Sequence, residues 1–309
     1  MHFISNIAAA QRIQVPEWYS ARIWTFNAVS DDGSEALCIS FIDPLGDKAL
    51  SPVVELVYSV KGHARARSYC ELAGTAVEVS ERGCVFGRSR FNSDDVEYGG
   101  GYLVELDLST ALGDITAHFE WLAVESDVID GIGALNVATP RADVTGKIVR
   151  RARGREKVFQ FRGTGWHSFS LKHASEPPRF TGCVHFVDRT AVIDSMPDTA
   201  FALCVADETA VEHILKSVRC RKRLSMYGLR YPAFIEYESE GMILRLEPRT
   251  VIDSRPFSIR TVNDVTLRSS DGKVRRSAGI FEFTKECRRP ASVFEILASH
   301  RKGRSLSEV

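Results

Sequence analysis

The 309-residue chain has no C-x-x-C pair, and its seven cysteines are an odd number. That usage suits neither a disulfide framework nor a zinc ribbon. Most of the thiols sit in apolar runs, such as CISF around Cys38 and FALCVA around Cys204. Buried, inert cysteines in a reducing compartment have that setting. No stretch approaches the ~18 consecutive apolar residues of a membrane-spanning helix. The opening MHFISNIAAAQRI lacks a basic segment followed by a long apolar one. A secretory signal is therefore not expected, and a cytoplasmic location is. Phosphate-cradling and hydrolase motifs are also missing: G-x-x-x-x-G-K-[ST], a G-x-G-x-x-G opening a helix, H-E-x-x-H and G-x-S-x-G. Net charge is absent too, with 40 Lys+Arg against 40 Asp+Glu, so no nucleic-acid partner is expected.

What is present is β-like. Hydrophobic residues at 44% and charged residues at 26% are ordinary for a globular chain. Arg22–Val29, the break Ser30-Asp31-Asp32-Gly33 and Glu35–Ile42 read as a hairpin. In Tyr102–Leu108, Tyr102, Val104, Leu106 and Leu108 share one parity, while Glu105 and Asp107 take the other. Such a strand has one buried and one wet face. Short runs of this kind recur to Ala278–Phe283 without βαβ alternation, which suggests barrels or sandwiches. Two segments read as helices: Asp207–Ser217, with Asp207 as N-cap, and Pro290–His300 at the C-terminus.

The charge is unevenly placed. Residues 1–140 hold 9 basic and 20 acidic residues, and residues 141–309 hold 31 and 20. From Lys147 to Arg162 there are seven basic residues and one acidic, beside Pro140, Gly146 and Gly154. This stretch reads as a linker or a solvated strand edge and places a domain boundary at 145/146. Together with a second basic cluster, residues 216–223, it offers a transient contact with a membrane surface. Oligomeric state is left open.

Several segments in order resemble one family. Glu17-Trp18-Tyr19 and then Ser30-Asp31-Asp32-Gly33 are similar to the E-W-W/Y…DDG opening of the AttH-like and carotenoid 1,2-hydratase (hydroxyneurosporene synthase) superfamily. Asn136–Gly146 resembles its P-x-a-x-V-x-G segment, Phe161–His167 its F-x-G-x-G-Y-H segment, and Ser277–Glu282 a late G-x-x-E strand. The resemblance implies an all-β protein of two tandem lipocalin-like antiparallel barrels, residues 1–145 and 146–309. It also implies a cavity for an apolar small molecule and no cofactor. The family run G-Y-H-D-H-N-W-G is altered here: His167 is kept, but Ser168, Phe169, Ser170 and Leu171 follow it. Hydration cannot use the same acid and second histidine.

Period-2 geometry puts His167, Phe169, Leu171 and His173 on one strand face. His185 lies on a neighbouring strand, but no spacing compels a metal site, and none is expected. Protonating an alkene needs a desolvated carboxylic acid held neutral. Asp188 is the candidate with His167 as partner, followed by Glu17 and Asp194; for Asp188 the alternative is a turn acid in Val187–Thr190. A pericyclic reaction asks only for a shaped cavity and a hydrogen-bond donor, from Tyr19, Tyr102, Tyr227 or His167. Trp18, Trp24, Trp166, Phe169, His173 and His185 complete the expected substrate contacts. The leading expectation is a cofactor-independent enzyme that cyclises, isomerises or hydrates a C=C system of an isoprenoid or polyketide-like substrate. A non-catalytic carrier of lipid or pigment competes with it, and a scaffold without a ligand comes third.

Overall fold

The computed structural model describes residues 19–45, 51–80, 82–93, 100–110, 113–125, 129–132, 135–173, 178–195, 200–206, 209–255 and 257–285. Every described element is a strand. The first twelve form one antiparallel sheet: β1 (Tyr19–Val29), β2 (Glu35–Pro44), β3 (Val53–Val60), β4 (His63–Glu71), β5 (Val77–Val79), β6 (Gly83–Phe86), β7 (Ser89–Asn92), β8 (Gly101–Thr110), β9 (Gly113–Glu125), β10 (Ile129–Ile132), β11 (Leu135–Ala152) and β12 (Arg155–His173). Its order is β4-β3-β2-β1-β12-β11-β9-β8-β7-β6-β5, with β10 on β11. The sheet curls around one aromatic core as a half-barrel. The other eight strands close a true barrel in sequence order: β13 (Arg179–His185), β14 (Thr190–Ser195), β15 (Ala200–Ala206), β16 (Thr209–Leu224), β17 (Arg230–Ser239), β18 (Met242–Ser254), β19 (Ser258–Ser269) and β20 (Val274–Thr284).

Alternation builds both units. On β1 the residues Trp24, Phe26 and Ala28 point into the half-barrel, while Val29 packs outward. The alternation on β8 appears as expected, with Tyr102, Val104, Leu106 and Leu108 all in the core. The outer face of the half-barrel lies against the closed barrel. Val29, Ala36, Cys38 and Val57 meet Ile252, Val262 and Ile280, and Trp166 and Val137 meet Cys183 and Val192. Beside these contacts Glu55 is buried between Arg255 and Arg260, Arg260 also holds Glu282, and Arg67 pairs with Asp253. The closed barrel is filled by its own side chains, among them Phe180, Val184, Ile193, Tyr237, Leu244 and Phe281.

Three expectations are corrected. The architecture is one closed barrel and one half-barrel sheet, not two closed barrels. The run expected as a helix from Asp207 to Ser217 is, from Thr209 onward, part of β16, where Ala200, Ala202 and Cys204 of β15 pair with Leu215, His213 and Val211, while Asp207 lies outside the described residues. Its apolar residues satisfy a strand because two neighbours complete its ladder, and tertiary pairing overrides local propensity. The basic run is no linker. Residue 145 falls inside β11, and Arg153 and Gly154 (φ 51° and 71°) turn a long β11–β12 hairpin. The two sheets part at 174–178. Basic residues crowd this hairpin because Arg151, Arg153, Arg155 and Lys157 are all exposed at its end. The C-terminal segment Pro290–His300 lies outside the described residues.

The half-barrel has two unlike ends. Tight turns at 30–34, 61–62, 87–88 and 153–154 join strands at one end. At the other lie Tyr19, Pro44, Val53, Gly101, Leu135 and His173.

Candidate active site

The inner face of the half-barrel is lined by aromatic rings with polar groups at two levels. Strand β12 carries His167, Phe169 and Leu171 onto this face. His167 is buried, stacks on Phe26 at 3.9 Å between centroids, and meets the edge of Tyr102 at 4.6 Å. Its Nδ1 lies 3.1 Å from the carbonyl oxygen of Thr25. A carbonyl only accepts, so Nδ1 carries the proton and Nε2 is the basic nitrogen. Burial pushes the His167 pKa down to about 3, only partly opposed by the Thr25 bond. The ring is therefore a neutral acceptor at pH 7. Burial moves the Tyr102 phenol the other way, well above its usual range, and Thr139 interacts with its side chain. Tyr102 keeps its proton and can donate it in a hydrogen bond.

Nearer the open rim the sequence reading missed a pair. Arg22 Nε and Nη2 donate to Asp43 Oδ2 at 2.9 and 2.5 Å. Arg22 also sits 5.8 Å from the Trp24 ring centroid, and Trp24 tilts against Phe169 at 5.4 Å. Arg22 and Asp43 are neighbours across β1 and β2 and share the parity of Trp24 and Phe41. That parity was the available signal. Four residues separate the Arg22–Leu171 pair from the Phe26–His167 pair, roughly 13 Å of strand. From the rim inward, the Arg22–Asp43 pair, the packed rings of Trp24 and Phe169 and the His167–Tyr102 contact thus follow one another, the rings packed in one continuous core.

The other expected residues scatter. Asp188 is not a buried acid. It stands in the β13–β14 turn, 45% exposed, and three hydrogen bonds from Arg275 hold its carboxyl far below the usual carboxylate range. It is ionised and remote from His167 because it belongs to the closed barrel. Asp194 is fully buried, but on that barrel's outer face, where Arg179 grips both oxygens at 2.6 Å. His185 also faces outward. It contacts Thr190 at 3.2 Å, and burial first and Arg141 second lower its pKa to about 3. Trp166 packs between the two units, and Tyr227 sits in the β16–β17 turn. Tyr19 and His173 pair across β1 and β12 at the rim, with their side chains outside the described ones. Glu17 and Trp18 lie outside the described residues. The described residues include no group of three or more His, Cys, Asp or Glu placed to hold a metal ion.

No protein-family model matches the sequence, and no curated protein matches it. Solved structures do match its fold. CghA superposes with a TM-score of 0.62 over 88% of this chain and 90% of its own, at 13% identity. CghA is also known with Sch210972 bound. An AttH-like protein (NE1406) of Nitrosomonas europaea gives 0.60 over 87% and 93% at 14% identity. Kievitone hydratase of Nectria haematococca gives 0.60 over 86% and 89% at 12% identity. The chain has the AttH-like fold. The all-β architecture expected from the sequence is therefore present over most of the chain, with one barrel closed and the other sheet open. On this scaffold His167 lies deep on the inner face of the half-barrel, with Phe169 and Leu171 following it towards the rim.

Proposed function

We propose that the half-barrel binds an apolar small molecule with a conjugated carbonyl and catalyses its isomerisation or cyclisation. The observation that carries this reading is the fixed tautomer of His167 beside a protonated Tyr102 in an aromatic interior. His167 Nε2 takes a proton from a carbon next to the conjugated system. Tyr102 donates a hydrogen bond to the carbonyl oxygen as it gains negative charge. Return of that proton to a different carbon breaks one C–H bond, forms another and shifts the double bond. The step needs no cofactor. The same polarised carbonyl serves an intramolecular cyclisation in which orientation supplies most of the acceleration.

Hydration through an alkene cation fits less well. It requires a strong neutral acid, and the two inward-facing acids of β2 are both engaged: Asp43 by Arg22 and Glu35 by the Tyr58 hydroxyl. That CghA binds Sch210972 and that kievitone hydratase is a hydratase support a small-molecule role on this scaffold. Native mass spectrometry of the freshly isolated protein identifies the co-purified ligand, which is then incubated with the protein in D2O. Deuterium uptake or rearrangement by the wild type, lost in His167→Gln and Tyr102→Phe with binding retained, is expected. A ligand returned unchanged marks a carrier and overturns the proposal. Unchanged turnover in both variants overturns the residue assignment.

A further inference from the structure

The β16–β17 ribbon combines two features that a monomer surface rarely carries together. From His213 to Arg230 the chain has six cations and no acid: Lys216, Arg219, Arg221, Lys222, Arg223 and Arg230. Each residue from Lys216 to Leu224 is exposed. At the tip, Leu224 and Met226 are 65% and 64% exposed, and Val218 is 48% exposed along the same strand. The tip is a hydrogen-bonded turn. Ser225 N donates to the Leu229 carbonyl at 2.8 Å, Gly228 N to the Ser225 carbonyl at 3.0 Å, and Ser225 Oγ accepts from the amides of Tyr227 and Leu229. The apolar side chains are therefore held outward by a formed turn.

We infer that this ribbon docks on an anionic lipid surface, with Leu224 and Met226 entering the headgroup layer inside a collar of Lys222, Arg223 and Arg221. Three occupants can be weighed by chemistry. A nucleic acid would satisfy the cations and leave two aliphatic side chains in water. Glu238 and Glu236 lie across from Lys216 and Arg219, but the tip has no acid, and a second copy would set Arg221, Lys222 and Arg223 against the same three cations. A bilayer with anionic headgroups takes both: the cations stay at the phosphate level while the aliphatic groups reach the acyl boundary. Of the two basic segments, the β11–β12 hairpin ends in Arg153-Gly154 without such a prong. The inference stands on the ribbon alone and holds whether or not the half-barrel is catalytic.

The test is sedimentation with phosphatidylcholine vesicles and with vesicles containing one-third phosphatidylserine, at low and physiological salt. Binding to the anionic vesicles alone is expected, weakened by salt. Leu224→Asp/Met226→Asp and Lys222→Glu/Arg223→Glu should each weaken it by tenfold or more. Both pairs are exposed, so melting temperature should stay near wild type. Equal binding to both vesicle types, or no binding to either, overturns the inference. So does anionic binding that both double variants retain, concentration-dependent dimerisation that Leu224→Asp/Met226→Asp abolishes, or a single-stranded oligonucleotide displacing the protein from vesicles.

Discussion

Phe26 and His167 lie face to face, 3.9 Å between ring centroids and 11° from parallel. The stack excludes water from one side of the imidazole and, with Tyr102 and Phe91 around it, keeps the ring neutral. Burial is the main cause of its lowered pKa, about 3 against 6.5. Between those values the folded protein binds fewer protons at this site than the unfolded chain does. Stability from the neutral ring is complete above pH 6.5 and falls as pH drops towards 3. The loss approaches ~1.4 kcal/mol per pH unit in that window. His185, also lowered to about 3, adds a loss of the same sign. Melting temperatures from pH 7 to pH 4.5 should fall more steeply for wild type than for His167→Phe. Parallel curves would show that the ring titrates freely.

Glu55 joins the two halves of the molecule through Arg255 and Arg260. Its side chain is 1% exposed, so Glu55→Leu removes the carboxylate between two guanidinium groups and leaves Arg255 only Asp253 and Arg260 only Glu282 to offset their charge. Because each arginine keeps a partner, the cost falls below the ~3–5 kcal/mol of a buried charge left wholly unpaired. The expected outcome is a lower urea midpoint and a split of unfolding into two transitions as the half-barrel and barrel uncouple. A single transition at the wild-type midpoint would mean that Val29, Cys38, Val57 and Ile280 hold the units together without the ionic contact.

Asp188 and Asp43 should respond oppositely. Asp188→Asn loosens an exposed pair with Arg275, and exposed pairs contribute up to ~1 kcal/mol. Turnover should be unchanged. Asp43→Asn frees Arg22 at the mouth of the half-barrel and should raise KM severalfold with little change in kcat. Steady-state kinetics on the ligand recovered from the protein distinguishes the two. A fall in kcat for Asp188→Asn would return that residue to the chemistry.

These sites show how far the chain can be read directly. Alternation on Tyr102–Leu108 and on His167–Leu171 fixes which side chains share a face, because strand geometry is local. The Arg22–Asp43 pair lies 21 positions apart in sequence, and only register between β1 and β2 brings the two together. Asp188 failed for the same reason in reverse: its partner Arg275 comes from β20. The residues 207–217 mislead because Val211, Ile214 and Leu215 fit a helical stripe as well as a strand. The basic hairpin mislead differs. Glycines and arginines at a strand end look like a linker until pairing of Val149 with Val158 is known.

Gly165 and Gly154 test two separate roles of glycine on the same strand pair. At Gly165 a Cβ would stand 2.7 Å from the Asn27 carbonyl oxygen and 2.8 Å from Trp121 Nε1 and Val144 Cγ2. The carbonyl belongs to the β1–β12 ladder and cannot swing aside, so Trp121 must move. Overpacking of this kind costs about 1–3 kcal/mol. Gly165→Ala should therefore lower the urea midpoint and shift tryptophan fluorescence, and, since Gly165 precedes His167 by two on the inner face, it should also reduce turnover. At Gly154 nothing stands near an added Cβ, but φ is +71°. Gly154→Ala should cost about 1 kcal/mol through backbone strain alone and leave fluorescence and turnover untouched. If Gly165→Ala left fluorescence and turnover unaltered, the inner face would have room that the packing of Trp121 against Phe26 and Phe119 denies, and the floor of the proposed site would have to be placed elsewhere.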